Sequence, residues 1–165
     1  MTRISTKQDH PLSLVGVALL VVLLLPVIVC VIVLYLLVGF LLHVAVWVSW
    51  CVRGKYILFV YSNSPIWHDY LREGILPRLG RRAVILNWSE RSRWRFGLAE
   101  MVFRYFGGSR KFNPLAVAFR PFRIARRFRF YEPFRDFKHG KREAVQKMED
   151  DLLAFAEECQ TTRAA

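Results

Sequence analysis

The sequence predicts an α/β protein in two parts: an N-terminal transmembrane helical segment, then one small domain with the element order β-α-β-α-β-β-α. Three observations carry that prediction. No Asp, Glu, Lys or Arg occurs between Asp9 and Arg53. All charge except Arg3, Lys7 and Asp9 therefore falls from Arg53 onward. In that remainder, short apolar runs rich in β-formers alternate with segments of helical periodicity. Of 165 residues 54% are apolar although the net charge is +12, so the averages describe two solvents rather than one. A remainder of this size holds one compact domain with its own core. The composition excludes a collagenous, disordered or disulfide-rich secreted chain.

Residues 1–11 form an N-terminal tail and residues 12–52 the membrane segment, followed by a basic cytoplasmic α/β domain over residues 53–165. The membrane segment is almost entirely Val, Leu, Ile, Phe, Trp and Ala. A bilayer-spanning helix needs roughly 20 such residues. The 41 positions would make a helix of about 60 Å, so the segment either crosses once with length to spare or turns back as a short hairpin at Pro26 or Gly39. A cleaved signal peptide would have an apolar region of only roughly 7–15 residues and a small-residue cleavage site. Trp47, Trp50, Arg53 and Lys55 have the character of aromatic and basic anchors at a membrane interface. Residues 53–139 carry 19 Lys and Arg against 6 Asp and Glu, so the positive-inside rule places the domain in the cytoplasm. Cys30, Cys51 and Cys159 have no C-x-x-C spacing and read as buried or lipid-facing thiols.

Within the domain, Lys55 to Ser62 (KYILFVYS) reads as a strand covered on both faces. Ser64 and Pro65 fit the cap and first position of a helix over Ile66 to Leu79, closed by Pro77 and Gly80. Ala83 to Asn87 reads as a second buried strand. Asn87-x-x-Glu90 offers a capping box for a second helix, Arg91 to Phe106, with Phe96, Ala99 (or Glu100), Phe103 and Phe106 as its apolar stripe and Gly107-Gly108 as its end. Leu115 to Phe119 gives a third strand after Asn113-Pro114. Arg127 to Tyr131 gives a fourth near the sheet edge, with Phe128 and Phe130 facing inward. His139-Gly140 is a turn into the last helix, Lys141 to Cys159, whose apolar face carries Val145, Met148, Leu152, Phe155, Ala156 and Cys159. Its acidic residues Glu149, Asp150, Asp151, Glu157 and Glu158 are expected on the exposed side.

This element order resembles the thioredoxin-like superfamily over Lys55 to Cys159. There, a loop after the first strand holds the redox cysteines, and a cis-proline opens the third strand beside it. Here that loop reads Tyr61-Ser62-Asn63-Ser64-Pro65-Ile66 without cysteine, and Asn113-Pro114 occupies the place of the proline. The resemblance implies the fold and, with the thiols missing, no thiol–disulfide chemistry, which requires a thiolate. A Rossmann-like arrangement begins the same way, but G-x-G-x-x-G and G-x-x-x-x-G-K-[ST] are both absent, and with them the phosphate cradle of a nucleotide cofactor.

Two groups of residues are candidates for function. Ser62, Asn63 and Ser64 lie where a strand hands over to a helix N-terminus, a place suited to an anion, or where Ser64 simply caps the helix. His68 and Asp69 follow on the first turn without a third catalytic partner. Arginine outnumbers lysine by 19 to 6 and is dense between Arg104 and Lys138, where Arg120, Arg123, Arg126, Arg127 and Arg129 offer a basic patch to lipid phosphates. Such a face is also compatible with an ordinary solvated surface. The membrane tether and the lack of an RNA-binding motif argue against nucleic acid. No His, Cys, Asp and Glu grouping has metal-ligand spacing, and no complete catalytic set is visible. The expectation is a non-enzymatic membrane protein, without cofactor or metal, that binds anionic lipid head groups or a protein partner. The alternative is a membrane-bound transferase or hydrolase holding a phosphate-bearing, lipid-linked substrate at Ser62 to Ser64.

Overall fold

The computed structural model describes residues 14–65, 67–108, 113–137, 140 and 142–164. The N-terminal tail, the first two positions of the membrane segment and His139 lie outside the described residues. The chain forms two compact units, the first ending at Gly39 and the second beginning at Phe40.

In the first unit the chain is helical from Leu14 onward, within α1 (Leu14–Ser49), and continues through Pro26 without reversal. A proline costs a helix one hydrogen bond and crowds the preceding turn, but here it does not end the helix. No hairpin forms at Pro26 or Gly39. From Val17 to Val38 every residue is exposed, and the helix is long and apolar enough to cross a membrane.

The second unit begins well before Arg53. The last turns of α1 place Val46 and Trp50 in the core, and Cys51 joins them from a single turn, Cys51–Arg53. Gly54, at φ 75°, then redirects the chain into β1 (Ile57–Tyr61). Part of the apolar run that reads as membrane segment is therefore domain core, which absorbs its excess length.

β1 is buried along its first four residues, as a central strand with both faces covered must be. The sheet order is β2-β1-β3-β4, with β2 (Ala83–Asn87), β3 (Leu115–Ala118) and β4 (Arg126–Arg129). β1 and β2 are parallel, whereas β3 is antiparallel to both β1 and β4. Side chains alternate between faces along each strand. One face, which includes Leu58, Val60, Val117 and the following Phe119, is covered by the end of α1 and by α3 (Leu98–Phe106). There the Phe119 ring lies 5.4 Å from Phe106, 5.7 Å from His43 and 6.3 Å from Trp50. The other face packs against α4 (Tyr131–Phe137) and α5 (Glu143–Ala164) through the ring pairs Phe59–Phe130, Phe130–Phe134 and Phe128–Phe155. Burying a phenylalanine contributes about 1.5–3 kcal/mol, so these rings hold the layers together.

Several elements differ from the sequence reading, each for a physical reason. The second strand is an edge strand, and Ile85 stands exposed on it. The expected single helix over Ile66 to Leu79 contains a widened π turn, Tyr70–Ile75, before the short helix α2 (Leu76–Leu79). Pro77 lacks an amide hydrogen for the regular ladder, and the turn closes instead from Leu76 N–H to the Leu71 carbonyl. The second helix starts only at Leu98: residues 88–93 form 3-10 turns, and Phe96, expected on its apolar stripe, is 84% exposed. α4 has no counterpart in the sequence reading, which extends β4 to Tyr131. Pro133 is tolerated in it because a first helical turn needs no amide hydrogen there. Glu149, expected on the exposed side of the last helix, is buried and accepts hydrogen bonds from the Tyr70 hydroxyl and the Arg78 guanidinium.

Candidate functional site

The register places two loops at opposite ends of the sheet. The end of β1 lies beside the start of β3, since Val60 pairs with Leu115, and its start lies beside the end of β3, since Ile57 pairs with Ala118. The loop after β1, with Ser62, Asn63 and Ser64, is therefore at the Pro114 end. The connection from β3 to β4 is at the other end, where α1 joins the domain.

At the Pro114 end, two open clefts flank the loop. One, of about 690 Å³, is lined by residues that include Asn63, His68, Asp69, Arg72, Asn87 and Glu90. The other, of about 640 Å³, is lined by Ser62, Ser64, Trp67, Trp88, Arg91, Asn113 and Tyr131. Asn63 belongs to a polar network: its N–H donates to Ser89 Oγ at 2.9 Å, and its Oδ1 accepts from Asn87 Nδ2 at 2.9 Å. Asn87 Nδ2 also donates to Glu90 Oε1, while Asn87 Oδ1 accepts from the Ser89 amide. The capping-box residues thus meet, but Glu90 binds the side chain of Asn87. The Ser64 carbonyl accepts from the amides of Trp67 and His68 and opens the helical path. This geometry commits the Asn63 amide within the protein, so the loop does not present it to an anion. His68 and Asp69 share the first cleft with Arg72, Asn87 and Glu90, an acid-rich mixture with one fixed cation. His68 Nδ1 and Asn113 Oδ1 are buried without a hydrogen-bond partner among the described residues.

The opposite end is basic and apolar. Arg120 is joined to Glu158 of α5. Arg123 and Arg126 also stand at this end, whereas Arg127 and Arg129 follow along β4 toward the Pro114 end, Arg129 pairing with Leu115; all four are exposed and have no acidic partner among the described residues. Alternation divides them: Arg127 and Arg129 share one face of β4, where they approach the Gly108 end of α3, a favourable position for cations. Arg126 is on the other face, with its guanidinium 4.8 Å from the Phe128 ring. The patch is thus a rim around the edge strand, not one flat surface.

The anchor residues are distributed differently from expectation. Trp50 is buried against Phe119, and Trp47 is half-buried, 5.8 Å from the His43 ring and 5.4 Å from Phe122. Arg53 is exposed and Lys55 half-buried. Cys51 and Cys159 are buried and Cys30 is exposed on α1. Burial is the main cause that pushes the Cys159 thiol pKa up, which leaves it a poor nucleophile at neutral pH. Burial and then the Glu149 carboxylate raise the Tyr70 hydroxyl to about 12.

Sequence reasoning missed three residues with consequences. Glu149 hides within an acidic run, and its partner Tyr70 is distant in sequence. Phe122 and Ile124 are 88% and 90% exposed between the arginines of the β3–β4 connection; the Pro121 turn signal was the available clue. Among the described residues, no group of His, Cys, Asp and Glu is placed to hold a metal ion. No protein-family model matches the chain, and neither a curated protein nor a solved structure matches it.

Proposed function

We propose that this is a membrane-anchored, non-enzymatic protein whose basic domain lies on the cytoplasmic side and binds anionic lipid head groups. The observation that carries the reading is the set of exposed arginines without acidic partners among the described residues: Arg123 and Arg126 on and next to the β3–β4 connection beside the end of α1, and Arg127 and Arg129 further along the edge strand. Each basic side chain near an anionic leaflet contributes about 1 kcal/mol. The cytoplasmic orientation rests on the surplus of Lys and Arg after the apolar run. The domain is read as thioredoxin-like without redox cysteines. The strand order β2-β1-β3-β4, with only β3 reversed, supports that reading, as does the position of Pro114, after a cis peptide bond, next to the loop that follows β1. The transferase or hydrolase reading draws no support from the Ser62 to Ser64 loop, because Asn63 is engaged by Ser89 and Asn87.

The test is the lipid shell of the full chain reconstituted in mixed vesicles. Spin-labelled phosphatidylglycerol should be enriched over spin-labelled phosphatidylcholine at low salt. The enrichment should fall as salt screens the arginines, and it should weaken in a variant with Arg123→Gln and Arg126→Gln. Equal association of the two lipids at every salt concentration would overturn the reading and turn the search to a protein partner. For orientation, Cys159 is too buried to serve as a reporter. The exposed neighbour in a Gln160→Cys variant should react with an impermeant thiol reagent only after lysis.

A further inference from the structure

We infer that the β3–β4 connection is a wedge for the bilayer surface, with Phe122 and Ile124 entering the acyl boundary while Arg123 and Arg126 stay at the phosphates. This rests on the lipid-binding reading and deepens it by naming the inserted residues.

The backbone gives the first argument. The Arg123 amide donates to the Arg120 carbonyl at 3.1 Å, so residues 120–123 form a β-turn with Pro121 and Phe122 at its centre. Proline fixes a negative φ at the first central position, and Phe122 has a φ of 60°. Together these define a type II turn, whose second central position favours Gly or Asn. A phenylalanine there is sterically costly and is found where something beyond the fold retains it. The fold makes little use of the ring: it is 88% exposed, and among the described residues its ring neighbour is Trp47. An isolated exposed apolar residue is ordinary, but two flanking an arginine in one turn form a small amphipathic surface.

The occupant follows from where the turn sits. The Ala125 amide donates to His43 Nε2 at 3.2 Å, which ties the connection to the last turns of α1. His43 follows the exposed apolar residues 17–38 by only a few positions, and Val48, next to Trp47, is also exposed. If α1 spans a bilayer, the membrane surface is the environment nearest this turn. Charge points to the same occupant, since Arg123 lies between the two apolar side chains and Arg126 follows them, neither with an acidic partner among the described residues. Tryptophan beside such a site suits the head-group level.

Hydroxyl-radical footprinting of the unmodified full chain tests this, with one copy per lipid nanodisc so that a second copy cannot cover the turn. Phe96 is the internal reference: it is 84% exposed and precedes α3, whose opposite end at Phe106 meets His43. In discs containing phosphatidylglycerol, Phe122 and Ile124 should be oxidised several-fold more slowly than Phe96 when each residue type is corrected for its intrinsic reactivity. Oxidation at the Phe96 rate would overturn the wedge. The two proposals fail separately. Lipid preference with a fully oxidised Phe122 removes the wedge alone, whereas a protected Phe122 without lipid preference removes the anionic-lipid reading alone. A Phe122→Gly variant, whose backbone accepts the left-handed conformation, should fold as before and lose protection at Ile124. Protection of Ile124 that persists in it would contradict Phe122 as an inserting residue.

Discussion

The two ends of the sheet carry different residue types and put them to different uses. At the Pro114 end, polar side chains are spent on one another: Asn63, Asn87, Ser89 and Glu90 form a closed network, and Asn87 O accepts from Trp94 Nε1. At the α1 end, the β3–β4 connection leaves Phe122 and Ile124 almost fully exposed and Arg123 without an acidic partner among the described residues, with Phe122 on a strained backbone and in contact with Trp47. The lesson is that a loop rich in hydrogen-bonding residues is not thereby a binding site, because its donors have first to be free. An exposed apolar side chain at an unfavourable φ, as at Phe122, is the stronger indication, since the fold alone does not explain it.

The largest test of this contrast is Phe119→Ala. Its ring joins the sheet to His43, Trp50 and Phe106, so its loss should cost about 3–5 kcal/mol in unfolding of the detergent-solubilised chain. A loss well below that would mean that the α1 end is not packed as described. Next is Glu149, which sets a contrast between a buried acid and the unpaired arginines. Glu149→Ala leaves Tyr70 and Arg78 without their acceptor, and each buried group so orphaned costs about 1–3 kcal/mol; Arg78 is largely exposed, so most of the loss should come from Tyr70. The sign of the pH dependence is fixed. Tyr70 titrates at about 12 when folded against 10.0 as its ordinary value, so the folded state holds the proton more tightly. Its stabilisation is complete below pH 10.0 and is lost as pH rises through about 12. In Glu149→Gln, alkaline titration of tyrosine absorbance should move Tyr70 downward but leave it raised, because burial is the larger cause. An unmoved Tyr70 would contradict the contact.

A smaller effect is expected from Asn87→Ala, which removes the centre of the network at the Pro114 end. A loss of about 1 kcal/mol per hydrogen bond is the expected scale, with faster hydrogen exchange at Asn63 and Ser89. Unchanged exchange would return the loop to the list of open anion sites. The smallest change has the opposite sign: Phe122→Gly should stabilise the fold by about 1 kcal/mol, since a left-handed conformation costs an L-residue roughly 1–2 kcal/mol. A destabilisation would show that the Phe122–Trp47 contact holds the turn in place.

Much of this architecture is legible in the sequence, and the exceptions share a cause. The membrane-length helix announces itself through 43 consecutive uncharged positions. β1 and β3 read correctly because continuous apolar runs of β-formers suit central strands. β2 has the same apolar character in AVILN, and nothing local says that a neighbour is missing on one side. The start of α3 is not legible because the Asn87 and Glu90 capping signal is real but serves 3-10 turns, and Phe96 falls at helical spacing by coincidence. α4 is not legible because Pro133 looks like a breaker unless it stands in a first turn. Where the membrane run ends and the core begins was not legible either, because lipid and protein interior select the same residues. Val46 and Trp50 show this directly. At the candidate site, composition alone marks the arginines, whereas Phe122 and Ile124 acquire meaning only through their exposure, and Phe122 also through its φ.

The central claim is that the α1 end of the domain meets the bilayer and the Pro114 end does not. β1 alone, with five residues, spans about 17 Å, a separation that energy transfer to acceptor lipids resolves. The measurement uses the full chain with Cys30→Ser in nanodiscs containing phosphatidylglycerol, with a donor attached through Ile124→Cys or through Pro65→Cys. Strong transfer from position 124 and markedly weaker transfer from position 65 is the predicted result. Equal transfer from both, or stronger transfer from position 65, would contradict the account.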